Sequence, residues 1–177
     1  MIRRFARPYA RAIMDVVQSP EKANDVRHEL EQFEAVRKSS RQLHDLYANP
    51  GIEHDTKMRV TGALAKRLGF SDMTIKVLGV VIGNHRMNDL EPIVEALAEM
   101  VREATNTVAA EVRTAARLTP EEEAQLRQTL EKKAGRKVEM TVSTDAALIG
   151  GFVARIGSEV FDASVLGKIE KFRESLG

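Results

Sequence analysis

The sequence predicts a mainly α protein in two parts: a six-helix bundle over residues 1–105, then a small α/β domain with a short mixed sheet over 106–177. Three observations predict it. Apolar residues recur at helical spacing through the first part. Near residue 105 the period changes to alternation. Serine, proline and glycine punctuate the chain at intervals suited to short elements. At 177 residues the chain can bury a core and has room for two small domains.

Phe5, Tyr9, Ile13 and Val16 form a first stripe, with Ala6, Ala10, Met14 and Val17 beside it. Pro8 falls in the first turn or so, where a missing N–H costs little. Arg3, Arg4, Arg7 and Arg11 precede the first acid, Asp15, as they would in a mitochondrial transit peptide. Asp15 and Glu21 follow quickly and the stripe runs on, so a structural first helix is expected. A second helix restarts at Ser19-Pro20 with Val26, Leu30, Phe33 and Val36 inward. A short one over 40–48 stops at Asn49-Pro50-Gly51. Another, through Met58, Val60, Leu64 and Leu68, ends at Gly69. Ser71 opens a fifth over 72–83. Asn88 or Asp89 opens a sixth over 90–105, with Ile93, Leu97, Met100 and Val101 inward.

From 107 to 118 the pattern alternates, Val108, Ala110, Val112, Ala116 and Leu118 on one side, which predicts a half-buried strand. Thr119, Pro120 and Glu122 spell a capping box for a helix carrying Leu126 and Leu130 and stopped by Gly135. Val138, Met140 and Val142 mark a second strand, and Phe152, Ala154 and Ile156 a third. Ser164 caps a last helix with Val165, Ile169, Phe172 and Leu176 on one face.

The chemistry-bearing classes fall away one by one. The formal charge of +1 argues against bulk electrostatic capture of nucleic acid. With no cysteine there is no disulfide, thiolate metal site or cysteine nucleophile. No apolar run reaches the roughly 18 residues of a membrane span. The stretch Gly150–Gly157 has five residues between Gly151 and Gly157 and then Ser158-Glu159, where a phosphate-binding loop needs four residues and Gly-Lys. It also runs into a strand, whereas a dinucleotide fingerprint precedes a helix. Gly150 and Gly151 are therefore read as a structural turn that admits φ > 0 and a close neighbouring backbone. His28-Glu29 opens like a zinc-protease helix, but Gln32 stands where the second ligand belongs. His44, His54 and His85 have no partner at ligand spacing, so no catalytic residue, metal or cofactor is expected. One oddity is left: the fifth helix is apolar nearly all round, and the first carries two stripes. Each is either central in the bundle or shares a face with a partner.

These residues together resemble the delta-subunit family of F-type ATP synthase, which includes the mitochondrial oligomycin-sensitivity-conferring protein. The segment 6–17, ARPYARAIMDVV, is similar to the family's opening helix. The most specific likeness lies in Leu148-Ile149-Gly150-Gly151 before a strand, Ile156-Gly157, and Asp162 with Ser164-Val165 before the last helix. The chain departs from the family at Ala146 and Ala163, where proline and glycine are common, and at Leu166, often basic. The resemblance implies a non-catalytic stator subunit. Its helical domain would bind the amino-terminal helix of an alpha subunit in a groove between the first and fifth helices. Its carboxy-terminal domain would hold the b subunits of the peripheral stalk. On this reading the groove candidates are Tyr9, Ala12 and Ile13 on one wall and Val77, Val80 and Val81 on the other. The expected place is the cytoplasmic side of a bacterial inner membrane, peripheral and without insertion. The rivals are a nucleic-acid-binding or other helical adaptor, marked by salt-dependent affinity, and an enzyme with a dispersed site, marked by ligand-dependent thermal shifts.

Overall fold

The computed structural model describes residues 5–165 together with Gly167. The chain divides into two compact units, Met1–Ala104 and Thr105–Gly177. Mostly helical in all, it carries one small mixed sheet.

The first unit holds α1 (Ala6–Val17), α2 (Pro20–Ser39), α3 (Arg41–Ala48), α4 (His54–Leu68), α5 (Asp72–Gly83) and α6 (Leu90–Ala104), with a 3-10 turn at Met87–Asp89 before α6. Punctuation follows the serines. The hydroxyl oxygens of Ser19, Ser40 and Ser71 accept from the N–H groups of Lys22, Leu43 and Thr74, capping α2, α3 and α5. Gly69 ends α4 in the left-handed region at φ 74°. Glu29 of α2 accepts from both the N–H and the hydroxyl of Ser71, at 2.9 and 2.8 Å, so the start of α5 is tied to α2.

The most enclosed helix is α6, which buries Leu90, Ile93, Val94, Ala96, Leu97, Ala98 and Val101 and packs against both α1 and α2. It joins Leu30, Phe33, Leu78 and Val81 in one apolar cluster. Each large side chain fully buried there contributes about 1.5–3 kcal/mol over its exposed state. Phe33 meets Tyr47 edge to face at 5.9 Å, and the Tyr47 hydroxyl lies 2.7 Å from Thr61 Oγ1. Lys57 is buried with its ammonium on the carbonyls of Asn49 (2.8 Å) and Tyr47 (3.4 Å), where it caps the end of α3. The apolar stripe of α2 does not announce that Glu34 and Arg37 are buried too. They pair through two hydrogen bonds of 2.7 and 2.8 Å, and that bonding to Glu34 raises the Arg37 pKa, while the buried Arg37 Nη1 has no hydrogen-bond partner among the described residues.

The second unit is built on β1 (Thr107–Thr114), α7 (Pro120–Ala134), β2 (Lys137–Thr144), β3 (Phe152–Ile156) and β4 (Glu159–Asp162), in sheet order β2-β1-β3-β4. β1 and β2 are parallel, joined through α7, with Thr107 opposite Lys137. β3 is antiparallel to β1 and to β4. Ala110, Val112, Leu126, Leu130, Val138 and Ala154 make the core. The capping box at Thr119 and Glu122 forms in both directions, and Gly135 ends α7 at φ 65°.

Two expectations need correction here. The alternation stops at Thr114 instead of running to Leu118, because the Thr114 hydroxyl donates to the Ala116 carbonyl at 2.7 Å and the chain leaves the sheet. Ala116 is accordingly exposed. The sheet also has a fourth strand where three were expected, for β4 is only four residues long and largely exposed. Most of the expected last helix falls outside the described residues. Within them, Ser164 Oγ accepts from the Gly167 N–H at 3.0 Å.

Candidate partner-binding site

Helix α1 turns Ala6, Ala10 and Ile13 into the core of the first unit. One edge of that inward face carries Tyr9, Ala12 and Val16 at positions a turn apart. Tyr9 is half-buried, Ala12 exposed and Val16 64% exposed. Helix α5 buries Thr74, Leu78, Val81 and Ile82. On one flank Gly79 lies against α4, where a Cβ would come 3.2 Å from Met58 Cε. On the other flank Met73, Val77 and Val80 follow at i, i+4 and i+7. The first two are half-buried and Val80 is 55% exposed. Just beyond α5, Arg86 holds its guanidinium 4.9 Å from the ring centroid of Phe5, which immediately precedes α1. The end of α5 and the start of α1 are thereby joined.

The structure divides the sequence-derived candidates. Tyr9, Ala12, Val77 and Val80 lie on partly or fully exposed edges. Ile13, 6% exposed, and Val81, with no exposure, are core residues and offer no wall to a docked helix. Val81 stands three residues from Leu78 and seven from Thr74, so it shares their inward face. Sequence reasoning passed over Val16 and Met73, which extend the same edges. The signal was present in the spacing. A uniformly apolar helix, however, does not reveal which residue marks its inward centre.

The glycine pair sits elsewhere, in the second unit, between β2 and β3. Gly151 has φ 79°, and a Cβ there would overlap the Ala163 carbonyl oxygen and lie 2.9 Å from Ser164 Cα. Gly150 has no left-handed backbone; a Cβ on it would come 3.1 Å from Val165 Cγ2. Backbone bonds bring the two segments this close: Val165 N–H donates to Gly150 O and Ala163 N–H to Phe152 O, both at 3.0 Å. Asp162 Oδ1 accepts from Ser164 N–H at 2.8 Å and closes the turn after β4. Among the described residues no group of three or more His, Asp or Glu side chains is placed to hold a metal, and no helix is long and apolar enough to cross a membrane.

The sequence model described as ATP synthase delta (OSCP) subunit matches residues 5–176. The chain belongs to the ATP synthase delta (OSCP) subunit family. Proteins named ATP synthase subunit delta are similar over nearly its whole length. That of Gluconobacter oxydans is 32% identical over 97% of this chain and 78% of its own. That of Hyphomonas neptunium is 32% identical over 94% of this chain and 92% of its own. A chain in the structure of the Toxoplasma gondii mitochondrial ATP synthase hexamer shares the fold, with a TM-score of 0.67 over 98% of both chains at 20% identity. Membership in the delta family makes this chain a subunit of ATP synthase and a stator component of its peripheral stalk.

Proposed function

We propose that this chain is the non-catalytic connector of the stator, with its two parts dividing the task. The first, residues 1–105, holds the amino-terminal helix of an alpha subunit between α1 and α5. The second, residues 106–177, holds the b subunits of the peripheral stalk, on the cytoplasmic side of a bacterial inner membrane. A connector of this kind keeps the catalytic head from turning with the rotor, so that rotation is coupled to ATP synthesis and proton transport.

The observation that carries the groove is the pair of unpartnered apolar edges. Val16 and Val80, both more than half exposed, lie beside half-buried Tyr9 and Val77 on helices otherwise packed inward. Such edges suit an amphipathic helix presenting anchors a turn apart. Tyr9 supplies area with a tip that stays wet, and Ala12 lets the incoming backbone come close.

Calorimetric titration of the full chain with a peptide of the alpha subunit's amino terminus tests this. Val80→Asp would set a carboxylate against apolar partner atoms and weaken binding by about 1–3 kcal/mol, or about 5- to 150-fold. Its circular dichroism melt should match wild type. A folded Val80→Asp chain that binds with unchanged affinity would sink the groove.

A further inference from the structure

We infer that the end of the second unit where α7 stops and β2 begins is a docking site for an acidic peptide segment. Thr105, Asn106, Gln128, Glu131, Lys132, Gly135, Arg136 and Lys137 line an open concavity of about 530 Å³ there. Gln128 and Lys132 project from the last two turns of α7, Gly135 caps its end, and Arg136 and Lys137 follow. Lys132, Arg136 and Lys137 are exposed, and none of the three forms an ion pair among the described residues. The lone carboxylate in the lining, Glu131, accepts from the Val138 N–H at 3.2 Å at the start of β2. Lys133 takes no part, since its ammonium stands 4.9 Å over the Phe161 ring.

The dipole at the end of α7 accounts for a lysine in its last turn. It does not account for Arg136 and Lys137, which lie beyond the last helical residue. Three cations against the one carboxylate of Glu131 in a single hollow, on a chain whose formal charge is only +1, make a local excess that an anionic partner would neutralise. The lining identifies the anion's class. It contains no apolar side chain to enter a lipid interface and no aromatic ring on which a base would stack. The side-chain amides of Gln128 and Asn106 offer both donors and acceptors, as a peptide backbone requires. A hollow of this size takes several residues and is larger than one phosphate needs. The site lies wholly within the second unit and stands independently of the α1–α5 groove.

The test is an NMR titration of the full chain with blocked hexaglutamate, beside inorganic phosphate and phosphatidylglycerol vesicles. Amide shifts are expected at Asn106, Gln128, Lys132, Gly135, Arg136 and Lys137. The triple variant Lys132→Ser, Arg136→Ser, Lys137→Ser alters only exposed side chains. It should keep the wild-type melt and bind about tenfold more weakly. Absence of binding, shifts centred elsewhere, or an unweakened variant would overturn the site. Phosphate or vesicles bound as tightly as the peptide, and lost in the same variant, would overturn the peptide as its occupant.

Discussion

Gly151 combines a left-handed backbone with the Ala163 carbonyl seated where a Cβ would go, so two independent effects forbid a side chain. A β-branched residue there costs about 1–3 kcal/mol from the backbone alone. Gly151→Val should therefore destabilise the second unit by at least that much and leave the first unit unchanged. Gly150→Val meets only the end of Val165 and should cost less. Hydrogen exchange resolved by residue reads both units at once; equal loss in both, or no loss in either variant, would contradict the close-approach argument. Glu122 makes a second residue-level case. Its carboxylate accepts from the Thr119 N–H at 2.8 Å, which holds its pKa below the usual carboxylate value. A carboxylate whose pKa is lower folded than unfolded stabilises above its unfolded value, near 4.3, and that help fades as pH falls through the folded one. The advantage of wild type over Glu122→Ala should thus be full at neutral pH and vanish in acid. Denaturant titrations of the two at descending pH check it, and a gap that widened in acid would reverse the sign.

A helix apolar on most of its circumference must be assigned its faces by its neighbours. In α5, Leu78 and Val81 point into the core, Gly79 meets α4, and Met73, Val77 and Val80 are left along the far flank. Adjacent residues 80 and 81 therefore have opposite fates, which one experiment can separate. Val81→Asp buries a carboxylate with no partner and should unfold the first unit, while Val80→Asp stays folded. Circular dichroism melts of the two variants decide it, and a stable Val81→Asp chain would remove Val81 from the core. The same rule explains β1, whose alternation ran past its true end. Ala116 and Leu118 keep the period of a strand, but the Thr114 hydroxyl bond to Ala116 turns the chain out of the sheet. Leu118 still packs against the second core from outside the strand.

Each unit has its own apolar cluster, one from Ala6 to Val101 and the other from Ala110 to Ala154. We propose that residues 1–105 fold alone as a domain, since a separate core is what independent folding requires. Limited proteolysis should cut first near 104–107 and release a stable helical fragment of that size. An initial cut inside 72–83, with no such fragment, would count against separate domains.

Serine caps, the Thr119 capping box, the stops at Gly69 and Gly135 and the change of period near 105 were legible in the sequence. Each is a local rule, satisfied by backbone groups a few residues away. The family was legible too, because the Leu148–Gly151 turn and Asp162-Ser164 meet demands of a single close crossing. Tertiary packing alone decided which helix lies innermost, that Ile13 and Val81 are core, and that Val16 and Met73 border the open edge. It also buried Glu34 with Arg37, a pair no hydrophobic pattern would place inside. The physical reason is common to all of these. Spacing along a helix fixes which residues share a face, but the direction that face points depends on what packs against it.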